Sequence, residues 1–290
     1  MSFRKRLASG EFVVLAEMNT PKGVDISQLI TNARRIKGRV DAAIVPDMDN
    51  GVMRMSALAG GVLMQQQGLE AIIHLYCRDR NRMALQGDIL AAHVLGIQNV
   101  VVAHSETMAN GDHRDAKEVN DLDELGLIEA IETLEQGKDM AGFDLEGAPV
   151  FTTGCTIASF ADDRQMAAEL DLAKKKVQAG AQFVVIPPIF DAARSSDFLS
   201  QAKQLGAPVI ATIFLIKSVG IARYMALNEP GAHISEELIR RIRKAGDRET
   251  ECLKIAGETI AALKDQVAGV KIETHGWEHR LLSILDYGGV

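Results

Sequence analysis

Eight short apolar, β-branched runs punctuate the chain: FVVLA (12–16), DAAIV (41–45), AIIHL (71–75), NVVVA (99–103), PVFTTG (149–154), FVVIP (183–187), PVIATIF (208–214) and GVKIE (269–273). Each is close to continuously apolar. A strand covered on one face alternates with period two, whereas a strand covered on both faces stays apolar, so these runs predict a buried parallel sheet. Between them, apolar positions recur at helical spacing in DISQLITNARRIKG (25–38), MRMSALAGGVLMQQQG (53–68), NRMALQGDILAAHVLG (81–96), DELGLIEAIETLEQG (123–137), QMAAELDLAKKKVQAG (165–180), DFLSQAKQLG (197–206) and SEELIRRIRKAGDRETECLKIAGETIAAL (235–263). Several of these segments close on glycine, the residue a helix C-terminus prefers.

Eight alternating β and α units in 290 residues predict an α/β protein of the (β/α)₈ TIM-barrel type, one domain spanning 1–290. The runner-up, a doubly wound open sheet, loses its main support because no GxGxxG follows the first strand. There is no internal repeat, low-complexity tract or Pro/Ser-rich linker. The longest irregular connection runs from about 104 to 121, directly after strand four, and long loops in compact domains tend to carry function.

Composition narrows the partners. No stretch approaches the roughly 18 apolar residues of a membrane helix, and the start MSFRKRLASGEF lacks the apolar middle of a signal peptide, so the expectation is a cytoplasmic protein without a membrane partner. Three scattered cysteines with no CxxC pair read as reduced thiols, and no metal centre is expected from them. With 32 basic and 39 acidic residues, a net charge of −7 and no basic stripe, nucleic acid is excluded as a partner.

In a barrel of this kind chemistry gathers where the strands end. The first polar residues after the apolar runs are Glu17, Asp47 and Asp49, the run Cys77-Arg78-Asp79-Arg80-Asn81, His104 with Glu106, Thr156, Asp191, Lys217, and Glu273 with His275. Glu17, in LAEMNTPKG, is the candidate general acid: a carboxyl held against apolar walls has its pKa raised by desolvation. The alternative is a capping or salt-bridged carboxylate. The arginines of CRDRN either grip an anion or form an Arg78–Asp79–Arg80 surface network, and spacing favours the network. His74, inside an apolar strand, reads as a satisfied core histidine. Lys175 and Lys176 belong to a solvated helix face or meet an anionic cofactor. Lys217 is placed for a Schiff base if its pocket is desolvated.

The order and spacing of several motifs resemble the methylenetetrahydrofolate reductases of the short bacterial type. They are CRDRN (77–81), GDHRDAKEVNDLDELGLIEA (111–130), KKKVQAGAQFVV (174–185), Phe190-Asp191, LIKSVGIARYM (215–225) and Gly276-Trp277-Glu278. The resemblance implies a flavoprotein barrel that binds FAD across its strand ends and passes hydride to methylenetetrahydrofolate, or runs the reverse, in one-carbon metabolism. NAD(P)H or a partner subunit would supply the electrons, and a homo-oligomer is compatible with it.

Glu17 matches the family's catalytic glutamate, which protonates folate N10. His74, Lys175 and Lys176 fall on or beside flavin contacts. Three places depart from the family. Where a Gly-Asp pair normally meets flavin and pterin, this chain has His104-Ser105-Glu106. Pro187 replaces a folate-contacting glutamine and Val219 a phenylalanine near the substrate. Proline offers neither amide donors nor a backbone N–H. The alternative function is therefore a divergent paralogue that has lost flavin or turnover and serves as a folate-binding or complex-forming subunit; an aldolase-like lyase using Lys217 ranks third.

Overall fold

The computed structural model describes residues 1–290, and its eight strands close into a barrel. They are β1 (Val13–Glu17), β2 (Ala42–Val45), β3 (Ala71–Leu75), β4 (Asn99–Val102), β5 (Thr152–Thr156), β6 (Phe183–Pro188), β7 (Val209–Phe214) and β8 (Gly269–Glu273). Every strand is parallel to the next, and β8 returns to β1 with Leu15 opposite Lys271. This is the (β/α)₈ TIM barrel that the apolar runs predict. Four of the eight strands begin on the expected residue and three begin one residue later; β5 is the exception, starting at Thr152 rather than 149. Pro149 has no N–H to give a ladder, the N–H groups of Val150 and Phe151 are taken by His93 and Glu135, and pairing with β4 starts at Thr152.

The helices are α1 (Phe3–Ser9), α2 (Ser27–Ile36), α3 (Ala57–Gln66), α4 (Arg82–Val94), α5 (Glu124–Glu135), α6 (Asp163–Gln178), α7 (Ser196–Ala202), α8 (Val219–Asn228), α9 (Glu236–Lys244), α10 (Arg248–Leu263) and α11 (Leu281–Gly288). Side chains cap many of their starts: Asn81, Asp123, Asp162 and Ser235 each accept a backbone N–H from the first turn. The segment read as one helix over 235–263 is two. Ala245 turns extended, and Asp247 caps a fresh start by accepting from Thr250 N. Helices α1, α8 and α11 lie outside the segments expected from periodicity.

Apolar residues divide between two shells, as alternation along a strand requires. One set, including Ile73, Val100, Val184 and Ile272, faces the helices. The other, including Val13, Leu15, Ile44, Ile72, Val101 and Phe183, fills the lumen, with Phe3 of α1 set edge-on against Phe183 at 5.3 Å. Towards the strands' C-terminal ends the lumen changes character, because Glu17, His74 and Lys271 are buried there among carbon.

Candidate functional site at the barrel mouth

Glu17 ends β1 with 3% of its surface exposed. One carboxylate oxygen accepts from Asn19 Nδ2 and the other from Lys271 Nζ, both at 3.2 Å. Lys271 stands on β8, the strand hydrogen-bonded to β1, and also forms a closer ion pair with Glu273 two residues on. Glu273 in turn meets His275 Nε2 at 3.3 Å. Burial, then the like charge of Glu273, raises the Glu17 carboxyl to about 7 despite Lys271. Burial works against the charge of Glu273 too, but Lys271 and His275 overcome it and hold that group well below the ordinary carboxylate range. Two carboxylates thus end in opposite states. The ligand atoms of Glu17, Glu273 and His275 lie within 4.8 Å of one another. That spacing alone would admit a cation, but the Lys271 ammonium already bonds both carboxylates, so these residues form an ion-pair network rather than a metal pocket.

Beside this network, His74 Nδ1 lies 3.1 Å from Tyr76 Oη, which donates to Asp49 Oδ1 at 3.1 Å. Burial pushes His74 down to about 3, so its ring is neutral, with the proton on Nδ1 to suit the tyrosine. Its Nε2 is buried without a partner. Tyr76 is itself buried and lies edge-on to the histidine ring at 5.8 Å.

Of the residues read as flavin contacts, His74 is not the fully satisfied core histidine expected, since its Nε2 stays unpartnered, whereas His104, Glu106, Lys175 and Lys176 are occupied within the protein. Lys176, 1% exposed, pairs with Glu124 and donates to Thr156 O. Glu124 also takes His104 Nδ1 at 2.9 Å, and the His104 backbone N–H donates to Thr156 Oγ1. Lys175 instead pairs with Asp171 one turn away on the exposed face of α6. Ser105 is half-buried, and Glu106 is exposed with its carboxylate on Asn110. Arg78 is fully enclosed and bonds Asp79 and the carbonyls of Glu106 and Met48, while Arg80 bonds Asp47 and Asp88. The Arg78–Asp79–Arg80 surface network expected of CRDRN is found only in part: Arg78 is buried on Asp79, while Arg80 turns to Asp47 and to the partly exposed Asp88.

The connection from 104 to 121 folds back over this side of the mouth. Asp112 pairs with Lys22 and accepts from Met53 N, and its own N–H donates to Gly51 O. Gly111 packs so closely on the Gly51 backbone that a side chain at that position would overlap it. A flavin cradle needs unspent donors and room beside the ring. Here Lys176 and His104 are spent on Glu124, His74 alone keeps a free ring nitrogen, Ser105 adds bulk where the family has glycine, and the 104–121 connection lies across the opening. The residues present do not fit the flavin that the resemblance implies.

A cavity lies on the other side, between the loops after β1, β2 and β8. It holds about 380 Å³ and is walled by Asn19, Asp25, Gln28, Asn32, Asp49 and His275 among others. Asn32 is 5% exposed and reaches it from α2. A second cavity of about 120 Å³ contains Pro187 and Phe190. Val219 opens α8, away from both cavities. Lys217 donates to His275 O at 2.6 Å and sits over the Trp277 ring, so its amine is engaged outside any desolvated pocket. The three cysteines are free and buried, and burial raises the Cys77 and Cys155 thiols to about 12, which leaves them unreactive.

Lys271 and Tyr76 are the site residues that reading the strand ends misses. The signal was present in GVKIE, where a lysine shares the inward period-two face with Gly269 and Glu273 of an otherwise buried strand.

Comparison with known proteins adds the following. The family described as Methylenetetrahydrofolate reductase matches residues 2–275. No curated protein is similar to the chain. Among solved structures, an uncharacterized protein from Clostridium thermocellum that binds two copies of 5-methyl-5,6,7,8-tetrahydrofolic acid superposes with a TM-score of 0.63 at 12% identity, covering 98% of this chain and 97% of that one. EDTA monooxygenase (EmoA) from Chelativorans sp. BNC1 gives 0.53 at 8%, covering 96% and 94%. A putative lyase/mutase from Burkholderia cenocepacia J2315 gives 0.54 at 14%, covering 97% and 83%. At such identities these likenesses speak for the barrel alone. With nearly its whole length matched, the chain belongs to the methylenetetrahydrofolate reductase family.

Proposed function

We propose that the barrel binds a reduced folate at its mouth and that Glu17 acts on it as a general acid, as a folate-binding member of the family that does not carry its own flavin. The observation that supports this reading is Glu17 itself: an enclosed carboxyl brought to about 7 is half protonated at neutral pH, the condition for giving up a proton there. With a methylene-bridged folate above it, Glu17 protonates N10 as the bridging carbon–N10 bond breaks. The bond pair stays on N10, and the N5 lone pair forms the methylene iminium.

Lys271, 3.2 Å away and shared with Glu273, offsets part of the charge left on Glu17. The polar cavity beside Asn19, Asp49 and His275 offers amide and carboxylate partners to the pyrimidinone edge of a pterin. Reduction of the iminium needs a hydride, and no step of that kind is assigned to this chain's residues; in this reading it comes from a partner subunit.

The Clostridium thermocellum barrel makes 5-methyltetrahydrofolate the first ligand to test. Isothermal titration of purified protein with 5-methyltetrahydrofolate and with FAD, accompanied by an absorption spectrum, decides between the readings. Folate binding by a colourless protein that ignores FAD is expected. Protein that is yellow as purified, or that takes up FAD stoichiometrically, restores the self-contained reductase, and absence of folate binding removes the proposal.

A further inference from the structure

Glu17 and Glu273 are two carboxylates at the top of one lumen with a single lysine between them, yet their surroundings are unequal. Glu17 has Lys271 Nζ at 3.2 Å and, on its other oxygen, the neutral amide of Asn19. Glu273 has the same ammonium in closer contact and the His275 ring on its second oxygen. Coulomb attraction falls with distance and is strong where water is excluded, so the anion is stabilised at Glu273. A lone lysine cannot neutralise both, and like charges this near disfavour joint ionisation.

We infer that Glu273 is a positioning residue for the acid: by drawing Lys271 and His275 to itself, it leaves the proton on Glu17. This deepens the proposed function, since it explains how a carboxyl beside a lysine can still serve as an acid.

The remaining groups around the pair support the division. Asp49, held by Tyr76, adds negative charge that favours a protonated Glu17. His74 is neutral and offers no competing cation. Lys217 spends its ammonium on the His275 carbonyl at 2.6 Å. His275 itself adopts a left-handed backbone with φ 44°, a conformation costly for a side chain with Cβ, and its ring is tilted against Phe214 at 4.8 Å. The loop is thus built to bring this imidazole to Glu273.

The test reads the proton and needs no turnover. In folate-free protein the protonated Glu17 carboxyl is identified as the infrared C=O band that disappears in Glu17→Gln, and is followed through a pH titration. The wild-type midpoint is expected at about 7. In Glu273→Gln, Lys271 is released to Glu17 and the like charge is gone, so the midpoint falls by at least about one unit and the protonated fraction at neutral pH drops from about half to about a tenth or less. In His275→Gln the midpoint rises, because a nearby cation is lost while Glu273 remains.

An unchanged or raised midpoint in Glu273→Gln overturns the inference, as does a lowered one in His275→Gln. Should Glu273→Gln fail to fold by circular dichroism, His275→Gln decides alone. Shifted midpoints in a protein that binds no folate would uphold the positioning role while removing the folate reading, and folate binding with unmoved midpoints would do the reverse.

Discussion

Lys176 separates a structural from a cofactor-binding reading of the β4–β5 side of the mouth, and Lys176→Met puts a number on the difference. The side chain is 1% exposed; its ammonium serves the Glu124 carboxylate and the Thr156 carbonyl. Methionine fills a similar volume but leaves both acceptors without that donor. Breaking a buried ion pair costs about 3–5 kcal/mol when the surviving charge has no other partner. Glu124 is not so isolated: its side chain is 19% exposed and His104 stays at 2.9 Å, protonated more readily than an ordinary histidine because of that hydrogen bond. The cost therefore falls nearer 2–3 kcal/mol, the range for stranding a buried acceptor plus part of a charge. At about 2–4 °C per kcal/mol for a chain of this order of size, the melting temperature drops by about 5–10 °C. Thermal melts by circular dichroism, for wild type and variant with and without FAD, measure it. A melting point within about 1 °C of wild type, outside which the predicted cost would show, would mean the ammonium does not hold the structure together. A wild-type stabilisation by FAD that vanishes in the variant would make Lys176 a cofactor contact and revive the flavin reading.

Two further outcomes follow from the lumen. Gly154 faces Phe183 with no room for a Cβ, so Gly154→Ala should cost about 1–3 kcal/mol by overpacking, seen as a lowered urea midpoint with an unchanged slope; an unshifted midpoint would show that the Phe183 ring has space to move. Glu17 has a folded pKa of about 7 against 4.5 for the free group, so it binds its proton more tightly when folded. Its contribution to stability is complete below 4.5 and fades as pH rises towards 7, amounting to at most about 3 kcal/mol for an isolated group and less here because Lys271 shares the charge. Glu17→Gln should flatten the stability curve across that window in denaturant titrations at successive pH values, and a curve parallel to wild type would be contrary evidence.

The barrel was legible because a parallel strand covered on both faces writes its burial as an unbroken apolar run, and seven of the eight boundaries followed from that alone. Periodicity was less informative where a helix is short or an interruption small. Ala245-Gly246-Asp247 keeps enough helical spacing around it to hide a break that Asp247 capping creates. Helix α1 is only Phe3–Ser9, and its role under the lumen depends on Phe183, distant in sequence. At the mouth, Glu17, Asp49, Glu273 and His275 could be named because each follows an apolar run. Lys271 lies within one, where only the period-two inward face marks it, and the pairing of Lys176 with Glu124 joins residues 52 positions apart.

The acid and its controlling charges stand at opposite ends of the chain: Glu17 and Lys271 are 254 residues apart and become neighbours only where β8 closes on β1. The raised affinity of Glu17 for its proton is consequently a property of the closed barrel. An open or partly unfolded form in which β8 has left β1 would let water reach the carboxyl and return it to ordinary acidity. Coupling acidity to closure in this way means that whatever stabilises the β1–β8 seam also keeps the acid protonated. A ligand seated in the cavity against Asn19, Asp49 and His275 touches the loops on both sides of that seam. Binding there and protonation of Glu17 are then linked, so that ligand affinity should rise as pH falls through about 7, a dependence that titrations at pH 6 and pH 8 would expose and that Glu17→Gln should abolish.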